Sequence, residues 1–393
     1  MATLWAEDTH AVINLGKGHP NPRLLPLQAV NDAYSNASVA PDAAVTLLQY
    51  GRMQGNPDLC ASIARWTAES CDNRPNLPSA DDIVITTGSG PALSLIMQLF
   101  TNPGDTILVD SPGYFLAYYS FEDCRVKPIP VPTDAHGLDV DRVEALLKEG
   151  VRPSMVYTVP IANNPTAADM SEERKEKLVQ LAREYKFKIA ADEVYQFLKF
   201  GTSKVPKSLF EYDDPSDPVV FSINSFSKLL GPGMRLGWLT AHKPFISRIL
   251  DCGALHSGGG FNPLTSAVVL QLFNNGFMDE HIALLRREYG ASCVALCKAV
   301  EEHLVPALKP DEKLQYHTPR GGFFCFITLP ERYDADKLLV QCKENGVSFF
   351  VGKHFSPAKD SFKSSVRLCF AWLEIDALVE GVRRLGKTVK EFS

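Results

Sequence analysis

The chain has no apolar run of the ~20 residues a membrane-spanning helix takes, so no membrane partner is expected. It has no Lys/Arg run either. Forty basic residues stand against 46 acidic ones, a net charge of -6, which argues against nucleic acid as a partner. It has no CxxC pair. Its nine cysteines (Cys60, Cys71, Cys124, Cys252, Cys293, Cys297, Cys325, Cys342 and Cys369) are odd in number. Cys293 and Cys297 lie one helical turn apart, but no second pair completes a zinc site, so reduced thiols and no metal are expected. Residues 1–10, MATLWAEDTH, lack the basic start and apolar stretch of a signal peptide and the Arg-rich pattern of a transit peptide; a cytoplasmic protein is the expectation. There is no internal repeat and no low-complexity segment.

What is present is ordinary globular material. The 393 residues are 45% hydrophobic and 22% charged, enough for one large and one smaller domain. Between about 80 and 240, short apolar segments alternate with helical ones. The expected strands are Ile83–Thr87, Thr106–Asp110, Met155–Val159, Phe187–Ala191, Val219–Ile223 and Leu236–Thr240. Most are continuously apolar, as when both faces of a sheet are covered. Ser171–Tyr185 reads as an intervening helix, with Ser171 as N-cap and Leu178, Val179, Leu181 and Ala182 to bury. The alternation implies a mostly parallel α/β sheet. Beyond it, a long helix is expected over His281–Leu304, strands at Phe323–Leu329 and Val366–Ala371, and a helix over Leu373–Leu385. That is a second, α+β unit.

Ligands of open α/β sheets collect at the carboxyl ends of the strands, so the residues leaving each strand are the candidates. Gly88-Ser89-Gly90-Pro91 opens a helix, where backbone N–H groups can meet an anion. Ser111-Pro112-Gly113-Tyr114 brings an aromatic plate. Asn163-Asn164-Pro165 brings an amide, and Asp192-Glu193-Val194-Tyr195 an acid that is costly to bury unpaired. Asn224-Ser225-Phe226-Ser227-Lys228, followed by Arg235, brings hydroxyls, an amine and a guanidinium. Taken singly, each has a plain structural reading as a turn, a cap or a polar loop. Together on one sheet edge they suit a pyridine aldehyde phosphate. The amine forms a Schiff base, and the acid keeps the pyridine nitrogen protonated so that the ring accepts electrons.

These residues carry a family resemblance. SFSKLLGPGMRLGW (Ser225–Trp238), DEVY (Asp192–Tyr195) and NPTA (Asn164–Ala167) resemble a class I/II aminotransferase of fold type I dependent on pyridoxal 5'-phosphate, and the likeness runs from Gly16–Pro20 to Arg367. The resemblance implies a large α/β domain over 40–280, with a mostly parallel seven-stranded sheet flanked by helices. It implies a smaller α+β domain from 1–39 and 281–393. It implies that Lys228 is the Schiff-base lysine and proton shuttle and that Asp192 faces the ring nitrogen. Tyr195 and Asn164 would bond the ring 3'-oxygen, and Tyr114 would stack on the ring. Ser89, Gly90, Ser225 and Arg235, with Ser227 assisting, would hold the phosphate. Tyr50 would reach the neighbouring subunit's cofactor in a homodimer. Gly18, Asn164 and Arg367 would receive the substrate. Two positions depart from the family pattern: Ala167 stands where glycine is usual, and Pro91 offers no N–H.

The expected activity is a ping-pong transfer of an α-amino group to a 2-oxo acid such as 2-oxoglutarate. The pattern most resembles transaminases of 2-aminoadipate, aromatic amino acids or kynurenine. Lys17, His19 and Arg23 are candidates to meet an acidic or polar side chain, with a wall drawn from Leu15–Leu25 and Ser257–Asn262; a solvated loop is the plain alternative. A β-eliminating lyase or an oxidase would share every residue named. A non-catalytic, cofactor-sensing module is disfavoured because the resemblance begins near the first residues. A nicotinamide dehydrogenase is disfavoured because the first strand–helix turn lacks GxGxxG.

Overall fold

The computed structural model describes residues 12–201, 204–358 and 360–392. The expectation for residues 1–10 lies outside them. The strands, in chain order, are β1 (Ile13–Asn14), β2 (Ile83–Thr86), β3 (Thr106–Ser111), β4 (Lys127–Asp134), β5 (Gly137–Leu138), β6 (Met155–Thr158) and β7 (Lys188–Asp192). They continue with β8 (Val220–Ser225), β9 (Gly237–Thr240), β10 (Phe324–Thr328), β11 (Val347–Ser348), β12 (Phe350–Val351) and β13 (Ser365–Cys369). The main sheet runs β2-β9-β8-β7-β6-β3-β4-β5. Parallel pairing joins β4, β3, β6, β7 and β8, while β9 runs antiparallel to both β8 and β2. Seven strands are thus as expected, and the eighth, β5, is a two-residue return that pairs with the end of β4.

β2, β6 and β8 are buried at every position and β7 at every position after Lys188, the both-faces-covered pattern their apolar sequences predict. β4 is the strand the sequence hides. It reads Lys-Pro-Ile-Pro-Val-Pro-Thr-Asp, and proline cannot donate to a ladder. The prolines fall at every second residue, so all the missing N–H groups point to the same side. That side is the sheet edge, and β4 pairs with β3 along its other side.

The helix between β6 and β7 is Glu172–Tyr185, where Ser171 caps the start by accepting from Arg174 N–H and Leu178, Val179, Leu181 and Ala182 are buried. The expected long helix begins earlier, at Phe277, runs to Ala299, and continues as one wider π-helical turn over Val300–Leu304. A second sheet, β10-β13-β12, is antiparallel, and its central strand β13 carries Arg367. The closing helix Ile375–Glu391 buries Leu378, Val382 and Leu385. One apolar cluster joins Leu15, Phe226 and Trp238 to Phe323, Cys369 and Val389, so the N-terminal segment, the main sheet and the second sheet share a core. Among the described residues no helix is long and apolar enough to cross a membrane.

Candidate functional site

A cavity of about 430 Å³ opens at the carboxyl edge of the main sheet. Its wall includes Ser89 and Gly90 after β2, Tyr114 after β3, Asn164 after β6, Asp192 and Tyr195 at the end of β7, and Ser227 and Lys228 after β8. Arg235 enters from the loop before the antiparallel β9, which brings it to the same edge. Gly18 and Arg367 close the cavity from the N-terminal segment and β13.

Of the residues expected around this chain's own cofactor, Ser225 is outside the wall, while Tyr50 is expected at a neighbouring subunit's. Ser225 is buried at the end of β8 and acts one step back: its hydroxyl donates to Ser227 Oγ at 3.0 Å and accepts from Ser227 N–H at 3.1 Å. Tyr50 is 79% exposed, beside the similarly exposed Leu48 and Val45. The loop expected to supply side-chain contacts, 257–262, adds no residue to this wall, although Asn262 Nδ2 donates to the carbonyl of Arg235. Gly260 bridges to Gly51, and Phe261 lines a different cavity. A Cβ at Gly259 would lie 2.5 Å from the Gly51 carbonyl, so glycine is what permits that close approach.

The charged groups have distinct surroundings. Asp192 Oδ2 accepts from the Tyr157 hydroxyl at 3.0 Å, whereas Oδ1 is buried with no donor. Burial pushes Asp192 up to about 6, against the Tyr157 donor, the Lys228 charge and the Val194 N–H, which favour the carboxylate. Burial pushes Lys228 down to about 8, and the Arg367 charge acts in the same direction. Lys228 Nζ lies 5.3 Å from the Phe323 ring centroid. Arg367 is 3% exposed, and it donates to Asn164 Oδ1 at 3.0 Å and to the Gly16 carbonyl at 2.8 Å. Burial lowers it to about 10, so it stays cationic at neutral pH.

The first turn of the helix Ser89–Phe100 faces the cavity with its unpaired N–H groups. Gly88, at φ +110, precedes it, and a Cβ there would sit 3.2 Å from Arg235 Nη2. Both departures from the family pattern are absorbed. Pro91 falls at the third helical position, where no intrahelical N–H bond is lost. Ala167 adopts φ +60, the left-handed conformation glycine would take more easily, at a strain of about 1–2 kcal/mol.

Several residues of the site gave no sequence signal. Tyr157 sits in the middle of an apolar strand. Asp110 is fully desolvated, pushed up to about 7 by burial, and its Oδ2 accepts from Val159 N–H at 2.7 Å and Asn163 Nδ2 at 3.0 Å. It thereby ties the strand before Tyr114 to the loop carrying Asn164. Phe115, Leu116, Tyr119 and Phe324 make the rest of the wall largely apolar. Of the three basic candidates, only His19 is in this wall. Arg23 pairs with Glu374 at 2.8 Å, and Lys17 Nζ lies 3.8 Å from the Trp372 ring centroid. Among the described residues no His, Cys, Asp or Glu cluster suits a metal ion, and all nine cysteines are free thiols.

The profile of the family described as aminotransferase class I and II matches residues 10–385. Aromatic-amino-acid aminotransferase 1 of Thermococcus litoralis is 32% identical over 389 residues, covering 98% of this chain and 89% of that one. The 2-aminoadipate transaminase of Thermus thermophilus is 30% identical over 383 residues, covering 96% and 90%. The solved structure of Pyrococcus horikoshii kynurenine aminotransferase, in complex with PMP, KYN and KYA, superposes with a TM-score of 0.88 at 30% identity, covering 98% of this chain and 92% of that one.

Proposed function

The chain belongs to the class I and II aminotransferases, and from that premise we propose that it carries pyridoxal 5'-phosphate on Lys228 and moves the α-amino group of an aromatic or similarly bulky amino acid to a 2-oxo acid such as 2-oxoglutarate. The observation that carries the reading is Asp192 Oδ1, a buried acceptor with no donor, in the same cavity as a desolvated Lys228 amine. An acceptor left unsatisfied in a buried site is costly, and a protonated ring nitrogen is the donor that fits it.

The other residues fit the group as well. The N–H groups of Ser89 and Gly90, the Ser227 hydroxyl, oriented by Ser225, and Arg235 suit its phosphate. Tyr114 offers a ring face, and Tyr195 and Asn164 offer polar atoms for the ring oxygen. When bound, pyridoxal 5'-phosphate supplies an aldehyde that takes up the amino group and a ring that accepts the electrons released at Cα. Lys228 Nζ takes the proton from the substrate Cα, a positioned-base contribution of about 10²–10⁴-fold. Asp192 holds the ring nitrogen cationic. Arg367 binds the α-carboxylate through the N–H groups that Asn164 and Gly16 leave over, and Gly18 leaves it room. A Cβ at Gly18 would lie 2.8 Å from Phe324 Cζ and 3.4 Å from Arg367 Nη2. Gly18→Ala is therefore expected to raise KM for the amino acid about tenfold while kcat changes little; steady-state kinetics at varied donor concentration checks this.

The substrate side chain would meet Phe115, Leu116, Tyr119 and Phe324. That wall favours an aromatic donor over 2-aminoadipate, whose second carboxylate would need Arg23 to leave Glu374. A panel of amino donors with 2-oxoglutarate as acceptor tests the choice. Aromatic donors are expected to give the highest kcat/KM, and a preference for 2-aminoadipate overturns it. Amino acid added without 2-oxo acid should convert the cofactor to pyridoxamine phosphate in one turnover. Ammonia release in its place would assign a lyase. We further read residues 40–280 as the large domain, with 1–39 and 281–393 as the small one, and the active form as a cytoplasmic homodimer. Support for the dimer is the exposure of five large apolar side chains within one stretch of chain, Leu27, Val39, Val45, Leu48 and Tyr50, with Tyr50 reaching the partner's phosphate. Sedimentation of the intact protein tests it.

A further inference from the structure

Arg367 is a cation held without an anion. Its two hydrogen bonds go to neutral acceptors, Nε is buried with no acceptor, and among the described residues no carboxylate pairs with it. Burying an unpaired charge is expensive, so something else must offset the lost water. What surrounds the guanidinium is aromatic. Its carbon lies 4.0 Å from the Phe324 ring centroid, 5.0 Å from Phe350 and 5.2 Å from Phe355. The sheet register sets this up: β13 is the central strand, and Arg367 pairs with Phe326 on β10 and with Phe350 on β12. The rings brace one another. Phe350 stacks on Phe115 with centroids 4.8 Å apart, and Phe355 meets Phe350 edge-on at 5.4 Å.

We propose that Phe324, Phe350 and Phe355 form an aromatic cage that takes the place of a counter-ion for Arg367, fixing the guanidinium while leaving its charge uncancelled for an incoming carboxylate. An acidic partner would steady the arginine but occupy the N–H groups and neutralise the charge the ligand must meet. An aromatic face stabilises the cation through its quadrupole and accepts none of the in-plane N–H groups. Nε–H and one N–H on each Nη remain for the ligand. The three phenylalanines are positioning residues, and the inference rests on the reading of Arg367 as the carboxylate receptor.

Phe350 is the residue to test, because it touches Arg367 but does not line the cavity. The cofactor-loaded protein is titrated with 3-phenylpropionate, an unreactive carboxylate, and binding is read by calorimetry. Phe350→Leu removes the ring face and is expected to weaken binding about five- to tenfold, and to raise KM for the amino donor with kcat kept. Phe350→Tyr keeps the face and is expected to stay within about twofold of the parent. The cage is overturned if Phe350→Leu binds the carboxylate as the parent does, or if Phe350→Tyr weakens it as much as leucine. Should the Phe350 variants fail to fold by circular dichroism, Phe355→Leu and Phe355→Tyr carry the same comparison, since Phe355 also faces Arg367 and stays out of the wall. Arg367→Gln separates the two levels. If it binds the carboxylate undiminished, the receptor reading falls and the cage with it. If it loses binding while Phe350→Leu does not, the cage alone falls.

Discussion

Lys228→Ala is expected to lower transamination by at least about 10²–10⁴-fold, the contribution a positioned base makes, while leaving the fold intact. The expectation of an intact fold comes from the contacts of the amine. Nζ faces the Phe323 ring at 5.3 Å and the cavity, so truncating it leaves no buried partner unsatisfied. Its surroundings already disfavour its charge, since burial lowers Lys228 to about 8. Removing it should not reduce the melting temperature of the unloaded protein. The same depressed value sets a pH dependence. Only the neutral amine can join an aldehyde, so the rate of cofactor loading should rise with pH up to about 8 and level off above it. Borohydride reduction followed by peptide mapping should place a pyridoxyl group on residue 228 in the parent and none in the variant. An alanine variant with full transaminase activity would remove Lys228 from the mechanism altogether.

The parts of the site that could be read from the sequence share a physical cause. Lys228, Asp192, Asn164, Tyr114 and Ser89 each leave a continuously apolar segment, and such segments form parallel strands whose carboxyl ends converge. Their meeting at one edge was therefore implied before any coordinates. What the sequence concealed depends on register and on neighbours in space. Tyr157 looks like core filling between Val156 and Thr158. Its hydroxyl matters because β6 lies beside β7, where it reaches Asp192. The phenylalanines around Arg367 come from β10, β12 and the turn after it, and only the antiparallel pairing puts them on one guanidinium. β4 was hidden because prolines argue against a strand until their shared side proves to be the edge. Loop 257–262 was assigned to the wall because nothing in the sequence reveals that Gly259 and Gly260 bind it to Gly51.

Asp192→Asn should separate stability from function. In the unloaded protein, burial raises Asp192 to about 6, above the ~3.8 of an exposed aspartate. A carboxyl whose folded value is raised contributes stability that is present below about 4 and lost as pH rises through about 6. At pH 8 the parent therefore holds a desolvated carboxylate with one oxygen unpartnered, and the neutral amide should melt higher. Asp110 and Glu193, both raised to about 7 by burial, add their own loss as pH rises through about 7. They leave a residual slope in the variant. Loading the cofactor should reverse the order. The carboxylate is what keeps a ring nitrogen cationic, and an amide supplies shape without charge, so transamination should fall about 10²–10³-fold, as when a preorganised electrostatic group is removed. Cofactor affinity of the parent should weaken as pH drops through about 6 and Asp192 takes up a proton; the asparagine variant should show no such step. Tyr157→Phe provides the intermediate case. Its lost hydroxyl favoured the carboxylate, so the step should move to higher pH while activity at pH 8 is largely kept. If the Phe variant's step stays where the parent's is, Tyr157 does not tune Asp192. If the Asn variant loads and turns over as the parent does, the ring nitrogen is not held by this carboxylate.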